Sequence, residues 1–146
     1  MKSKFIDAYM DVAQRFAQLS SATRLQVGAI VVKDDRIISI GYNGMPTGWD
    51  NCCEHTIQHH ELGTCTTVSK AEVLHAETNA VAKLAKSGES GLGATMFVTH
   101  APCIDCAKLV YQSGIATVYY KNEYRSTQGL EFLNKSGVEV IHHHKL

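Results

Sequence analysis

The chain has 146 residues, of which 45% are hydrophobic, enough to bury the core of one domain without disulfides. Lys and Arg balance Asp and Glu at 14 each, which argues against a protein that coats nucleic acid. No apolar run approaches the roughly 18 residues of a membrane span, and the N-terminus lacks the apolar centre of a signal peptide. The sequence therefore predicts a cytoplasmic protein without membrane contact.

Hydrophobic periodicity predicts the element order α-β-β-α-β-α-β-α-β. Apolar residues at spacings of three and four indicate a first helix over 5–19. β-Branched residues on both sides of Asp34-Asp35 predict a hairpin with strands 26–33 and 36–42. Alternating helices and strands follow at about 75–86, 94–100, 102–113, 116–121, 128–136 and 138–142.

Residues 44–69 are rich in turn formers and polar residues, so we expect a long loop insertion there. A loop of this length is uncommon in a small domain and suggests a functional or metal-stapled segment. Alternating strands and helices require crossover connections that place helices on both faces of a sheet. The sequence thus predicts one α/β domain over 1–146, with a five-stranded mixed sheet in a three-layer αβα arrangement.

Cys103 and Cys106 are three residues apart on a predicted helix, so their thiols face the same side. Pro102 suits the first turn of that helix, and the positive end of a helix dipole favours thiolates. Together with His75, the two thiolates give three zinc ligands and leave the fourth position for water. Such an open site is typical of catalytic zinc, which ionises water near neutral pH.

His75 and Glu77 stand at i and i+2, which point to nearly opposite sides within a helix. Both can lean over the helix end if the helix begins near His75, with His75 on the metal and Glu77 beside the water. A capping-box pattern from Ser69 to Glu72 would start the helix earlier and separate them. We favour the later start, because such four-residue matches are common by chance.

The pattern H-x-E followed by P-C-x-x-C is the signature of zinc nucleobase deaminases, and both halves are present at 75–77 and 102–106. The finer sequence resembles the deoxycytidylate (dCMP) deaminase family, which has the cytidine deaminase-like fold. The similar stretches are Q-V-G-A-I-V-V (26–32), G-Y-N-G-M-P-T-G (41–48), L-H-A-E-T-N-A (74–80), A-P-C-I-D-C-A-K-L-V (101–110) and S-G-I (113–115).

This resemblance implies hydrolysis of dCMP to dUMP and ammonia, which supplies dUMP for thymidylate synthesis. It makes Glu77 the group that takes a proton from water, protonates N3 of cytosine and helps ammonia leave. Asn43 resembles the asparagine with which the family contacts its substrate; the alternative is a turn residue that bonds its own backbone. The Ala76 backbone is expected to lie beside the base.

A nucleotide monophosphate needs cations, and Arg24, Lys121 and Arg125 lie near elements that should end on the active-site side. For each of them the alternative is a solvated surface charge. Tyr124 could stack on the substrate or hydrogen-bond to it, and a core or rim position is the alternative.

The resemblance also implies a homo-oligomer, commonly a hexamer, that dCTP activates and dTTP inhibits, each with Mg²⁺. We expect Tyr42, Asn43 and Gly44 to contact this allosteric nucleotide, because glycines in the loop let the backbone approach phosphates closely.

A second group of metal-ligand residues lies in the predicted loop insertion. Its members could hold a structural zinc, but their spacing fits no single zinc pattern, and packed or exposed thiols are the alternative. They are Cys52, Cys53, His55, His59, His60 and Cys65. The histidines at 142–144 continue a predicted strand, so we interpret them as an edge strand rather than an affinity tag.

Two other functions remain open on the residues alone. One is another zinc deaminase, acting on free cytidine or on tRNA adenosine, and the other is a zinc-stapled binding module without catalysis. Neutral charge argues against RNA, and the glycine-rich loop argues against free nucleosides. Glu77 argues against a structural site, which has no use for a carboxylate beside an open coordination position.

Overall fold

The computed structural model describes residues 1–144. All predicted elements occur in the predicted order, with ends within two residues of the expectation, and one further hairpin is present. The helices are α1 (Ser3–Ala17), α2 (Ala76–Ala85), α3 (Ile104–Gln112) and α4 (Gln128–Lys135). The strands are β1 (Gly28–Lys33), β2 (Arg36–Tyr42), β3 (Glu54–His59), β4 (Thr64–Ser69), β5 (Thr95–His100), β6 (Thr117–Asn122) and β7 (Glu139–His142).

Five strands form one mixed sheet in the order β2-β1-β5-β6-β7. β1 pairs antiparallel with β2 and β5, whereas β5, β6 and β7 are parallel. On one face α1 buries Met10 against Ile30 and Phe97. The helices α2, α3 and α4 cover the other face, where Val98 and Leu133 belong to the larger core. The expected three-layer αβα arrangement is therefore confirmed. In residues 1–144 no helix has both the length and the apolar character needed to cross a bilayer.

The predicted long loop at 44–69 is wrong in its second half. β3 and β4 pair antiparallel, in register from Glu54 opposite Ser69 to His59 opposite Thr64. Most side chains of this hairpin are exposed on both faces. A strand that buries neither face needs no apolar alternation, so the period of two that reveals other strands is missing here.

The histidines near the C-terminus belong to the fold. His142 ends β7 at the sheet edge and stacks on Tyr120, with ring centroids 4.6 Å apart. His143 is buried, and its Nε2 lies 2.7 Å from Oδ1 of Asp7 on α1. The interpretation as an edge strand is confirmed for His142, since β7 lies at the edge of the sheet, whereas His143 and His144 follow the end of the strand.

Candidate active site

Two helices begin at metal-ligand residues. His75 is the N-cap of α2 (φ −76°, ψ 154°), and Cys103 is the N-cap of α3 (φ −68°, ψ 169°). Both backbones are extended, so neither side chain follows the helical repeat. This geometry resolves the i, i+2 spacing, because His75 lies before the helix while Glu77 lies in its first turn. The predicted start near His75 is confirmed, and Ser69 ends β4 without starting a helix.

The three predicted metal ligands converge. Nδ1 of His75 lies 3.2 Å from Sγ of Cys106 and 3.7 Å from Sγ of Cys103. These two distances lie on either side of the roughly 3.5 Å that separates a nitrogen and a sulfur ligand of tetrahedral zinc with ordinary bond lengths. Within residues 1–144, no other group of three or more His, Cys, Asp or Glu side chains is close enough to share a metal. The donor set therefore fits zinc.

The two thiols carry different charges when they share a proton. Hydrogen bonds from the Cys106 thiol and from His75 lower the pKa of Cys103 to about 4. The Cys106 thiol is more buried; its hydrogen bond to Cys103 and this burial raise its pKa. The bond to Cys103 also raises the pKa of His75. Cysteines bind metals as thiolates, so a metal ion would displace the shared protons.

Glu77 lies beside this triangle of ligands with only 4% of its surface exposed. Burial raises the pKa of its carboxyl group, although its own backbone N–H and the charge on His75 act in the opposite direction. A carboxyl with a raised pKa can accept a proton near neutral pH and give it back. The position and environment of Glu77 therefore suit a proton carrier.

Glycines let neighbouring elements press against both ligand-bearing helix starts. A Cβ atom on Gly41 of β2 would lie 2.3 Å from the Ala76 carbonyl oxygen. A Cβ atom on Gly129 of α4 would lie 2.0 Å from the Pro102 carbonyl oxygen and 2.9 Å from the Cys103 carbonyl carbon. Pro102 was predicted in the first turn of α3 but precedes the Cys103 N-cap, where its backbone packs on Gly129.

Replacing Gly129 with alanine should therefore displace the Cys103 loop. We expect the variant to lose about 1–3 kcal/mol of stability through overpacking, although alanine favours a helix over glycine by about 1 kcal/mol, and to bind zinc more weakly. Thermal unfolding and zinc titration test this expectation. Gly88→Ala is the matched control, because an added Cβ there meets nothing within 4 Å. Equal behaviour of the two variants would contradict the prediction.

A cavity of about 390 Å³ opens over the metal ligands. Its walls contain predicted residues together with Lys70, His100 and Asp105, which sequence reasoning missed. The predicted ones are Arg24, Asn43, His75, Ala76, Glu77, Cys103, Tyr124 and Arg125. His100 had a usable signal, since it ends a strand directly before the A-P-C-I-D-C motif. Lys70 had none, because it lies in the segment that lacks periodicity.

Lys121, which was predicted beside the substrate phosphate, does not line the cavity, and neither do Tyr42 and Gly44, which were predicted to contact an allosteric nucleotide. Lys121 instead donates a hydrogen bond from Nζ to Oε1 of Gln14 on α1 (3.2 Å). Side chains alternate between the two faces of a strand. Tyr120 packs on the face covered by α2, α3 and α4, so the next residue, Lys121, points to the face covered by α1. Tyr42 and Gly44 lie at the end of β2 and just after it, outside the cavity wall.

Arg24 reaches the cavity through contacts with the hairpin. The carboxylate of Glu54 accepts hydrogen bonds from the Thr23 N–H (2.8 Å) and the Thr23 hydroxyl (2.9 Å). Burial would raise the pKa of Glu54, but these donors and the Arg24 N–H outweigh it and lower the pKa. Nη1 of Arg24 donates to Oγ of Ser69 (3.1 Å). The hairpin thus fixes the segment that presents Arg24.

Asn43 is a structural link as well as a lining residue. Its Oδ1 accepts a hydrogen bond from the Val27 N–H (2.8 Å), and its Nδ2 donates to the Leu25 carbonyl (2.8 Å). The alternative interpretation of Asn43, a turn residue whose side chain bonds its own backbone, is therefore wrong. Asn43 connects the end of β2 to the chain before β1, which forms one wall of the cavity.

The second group of potential metal ligands does not assemble in residues 1–144. Cys53 is buried, with Sγ 3.5 Å from Oγ of Ser21, whereas Cys52 and Cys65 are exposed. The structure therefore favours packed and exposed thiols over a second zinc site.

Comparisons with known proteins agree with this site. A sequence model of the cytidine and deoxycytidylate deaminase zinc-binding region matches residues 3–122. The chain belongs to this family. Among family relatives, ComE operon protein 2 of Bacillus subtilis is 38% identical over 136 residues, covering 90% of this chain and 67% of the relative. Deoxycytidylate deaminase of Enterobacteria phage T4 is 33% identical over 167 residues, covering 90% of this chain and 86% of the relative.

A solved structure of the family is closely similar. The dCMP deaminase of cyanophage S-TIM5, in complex with dCMP and dUMP, is 45% identical to this chain, with a TM-score of 0.86. The match covers 98% of this chain and 99% of the phage protein. The cytidine deaminase-like fold and the assignment to zinc-dependent deaminases therefore rest on the sequence, the ligand geometry and the comparisons together.

Proposed function

We propose that this protein hydrolyses dCMP to dUMP and ammonia. One observation carries the proposal: the His75, Cys103 and Cys106 ligand triangle lies with buried Glu77 in a cavity that also has two arginines in its walls. The arginines suit a monophosphate, and the triangle with its carboxylate suits deamination. The cyanophage relative, whose structure contains dCMP and dUMP, supports the same substrate.

In this mechanism His75, Cys103 and Cys106 would hold the zinc ion. When bound, zinc supplies the Lewis acidity that lets water ionise near neutral pH. Glu77 takes a proton from the attacking water, gives it to N3 of cytosine, and transfers the second proton to the departing amino group. The water oxygen bonds to C4, the C4–N bond breaks and ammonia leaves, so one water is consumed. The protected position of Glu77 keeps bulk water from competing for these protons.

The experiment that tests the substrate is ammonia release from dCMP, CMP, deoxycytidine, dCTP and adenosine by the zinc-loaded protein. We expect dCMP to have the highest kcat/KM. Preference for deoxycytidine or adenosine would replace the proposal with another zinc deaminase, and no turnover of any compound would favour a binding module.

The phosphate is expected to contact Arg24 and Arg125. Arg125 lies against the Tyr124 ring, with Cζ 5.7 Å from the ring centroid, which holds the guanidinium at the cavity. Replacing either arginine with glutamine should raise KM for dCMP about 10- to 100-fold, the value of one hydrogen bond to a charged group, and leave deoxycytidine turnover unchanged. Arg15→Gln, on the exposed part of α1, is the control. An unchanged KM for dCMP in both variants would reject the assignment of Arg24 and Arg125 to the phosphate.

We further propose that the protein is a homohexamer regulated by dCTP and dTTP with Mg²⁺, through Tyr42, Asn43 and Gly44. Gly44 and Leu74 exchange two backbone hydrogen bonds (3.1 and 2.8 Å), and Leu74 directly precedes His75. A nucleotide bound at Gly44 would thus act on the start of α2. Sedimentation with and without dCTP, together with dCMP saturation curves, tests this. The proposal would be contradicted if the protein sedimented as a monomer and neither dCTP nor dTTP altered its dCMP saturation curve.

A further inference from the structure

His100 is a cavity residue to which the proposed mechanism gives no role. It is the last residue of β5, three residues before Cys103, and its half-buried ring lines the cavity. Its neighbour Thr99 is fully buried. The Thr99 hydroxyl accepts a hydrogen bond from the Gly28 N–H (3.1 Å) and lies 3.0 Å from Nδ1 of His100.

The hydrogen bonds of Thr99 determine which ring nitrogen of His100 carries the proton. A hydroxyl has one proton to donate, and Nδ1 of His100 is the sole acceptor within reach of Thr99 in residues 1–144. A buried hydroxyl proton without a partner is strongly unfavourable. This pattern assigns Nδ1 as the acceptor, so the neutral ring carries its proton on Nε2.

The Nε2–H group is then free to bind a ligand. Burial lowers the pKa of His100, which keeps the ring neutral. No hydrogen-bond partner contacts Nε2 in the described part of the chain. Because Nδ1 contacts Thr99, Nε2 lies at the edge of the ring away from Thr99, and this ring borders the cavity. A neutral donor with one N–H differs from Arg24 and Arg125, which are cations with several donors.

We infer that His100 is a substrate-binding residue that Thr99 holds as an Nε2–H donor to an acceptor atom of the nucleotide. The inference rests on the proposed function, since it requires a pyrimidine nucleotide in this cavity. The acceptor belongs either to the phosphate or to the nucleoside, and both offer oxygens. Thr99 acts as a positioning residue, because its hydroxyl reaches the substrate only through His100.

Two variants test the donor. His100→Leu removes it, whereas His100→Gln returns an amide N–H near the position of Nε2. We expect the leucine variant to bind dUMP about tenfold more weakly in calorimetry and to raise KM for dCMP similarly, with the glutamine variant close to the wild type. If KM rises for dCMP alone, the acceptor atom belongs to the phosphate. If KM rises equally for deoxycytidine, the acceptor atom belongs to the nucleoside. Unchanged binding and KM in His100→Leu would overturn the inference.

Nitrogen-15 NMR of the zinc-loaded protein tests the tautomer without turnover. We expect His100 to show the Nε2–H form at neutral pH, to retain it in Thr99→Ser and to lose it in Thr99→Val. An Nδ1–H or doubly protonated ring in the wild type would also overturn the inference. Failure of the proposed function looks different, because the wild type itself would then fail to release ammonia from dCMP.

Discussion

Replacing Glu77 with glutamine is expected to lower kcat for dCMP by at least about 10³-fold, within the range that general acid-base groups contribute. Glutamine has nearly the same shape but cannot accept a proton from water or deliver one to N3. Both transfers use the same carboxyl group, so both are lost together. Glu77 is buried in the first turn of α2.

The variant should keep its zinc, because His75, Cys103 and Cys106 supply all three protein ligands. Zinc content by mass spectrometry and dUMP binding by calorimetry separate loss of chemistry from loss of structure. Glu72→Gln is the matched control, an exposed carboxylate in the turn that precedes α2. A Glu77→Gln enzyme that retained near-normal kcat would contradict the assigned role.

The sheet could be predicted from the sequence because burial requires apolar residues in its strands. β1 and β5 are buried on both faces and carry unbroken runs of apolar residues. The hairpin of β3 and β4 lacks this signal, since its pairing is held by backbone hydrogen bonds and few of its side chains are buried. Lys121 shows the limit of such reasoning, because a shift of one residue along a strand changes the face.

The metal ligands could be predicted because their signal is local. His75 and Glu77 lie within three residues, as do Cys103 and Cys106 within four, and the family signature joins the two halves. The contacts of Glu54 with Thr23 and of Thr99 with Gly28 join residues 31 and 71 positions apart. No short motif records such a pair, so the groups that orient Arg24 and His100 emerge only from the fold.

The two N-caps explain why two local motifs suffice for a three-ligand site. His75 and Cys103 both have extended backbones immediately before a helix, and the N–H groups of those helix starts favour negative charge. Glycines in β2 and α4 bring the two helix starts into close contact with the rest of the fold. The helix starts thus favour the Cys103 thiolate and act against the burial that raises the pKa of Glu77, while the packing sets the distances between these groups.

Replacing Cys106 with serine is the second change with a large expected effect. A serine hydroxyl stays protonated at neutral pH and binds zinc poorly, and one of the two negative charges that balance Zn²⁺ disappears. We expect zinc affinity to fall by more than the roughly 10–100-fold that loss of an outer-sphere partner costs, with turnover lost in parallel. Competition with a zinc chelator, followed by ammonia release, measures both quantities on one sample.

Cys65→Ser is the matched control, because this thiol is exposed on β4 and lies outside the ligand triangle. The control should keep wild-type zinc affinity and turnover. Chelation of the wild type should abolish turnover, and added zinc should restore it, because the three ligands remain in place. Wild-type zinc affinity in Cys106→Ser would show that the triangle of His75, Cys103 and Cys106 does not hold the metal. Loss of zinc from Cys65→Ser would instead point to Cys65 as a ligand.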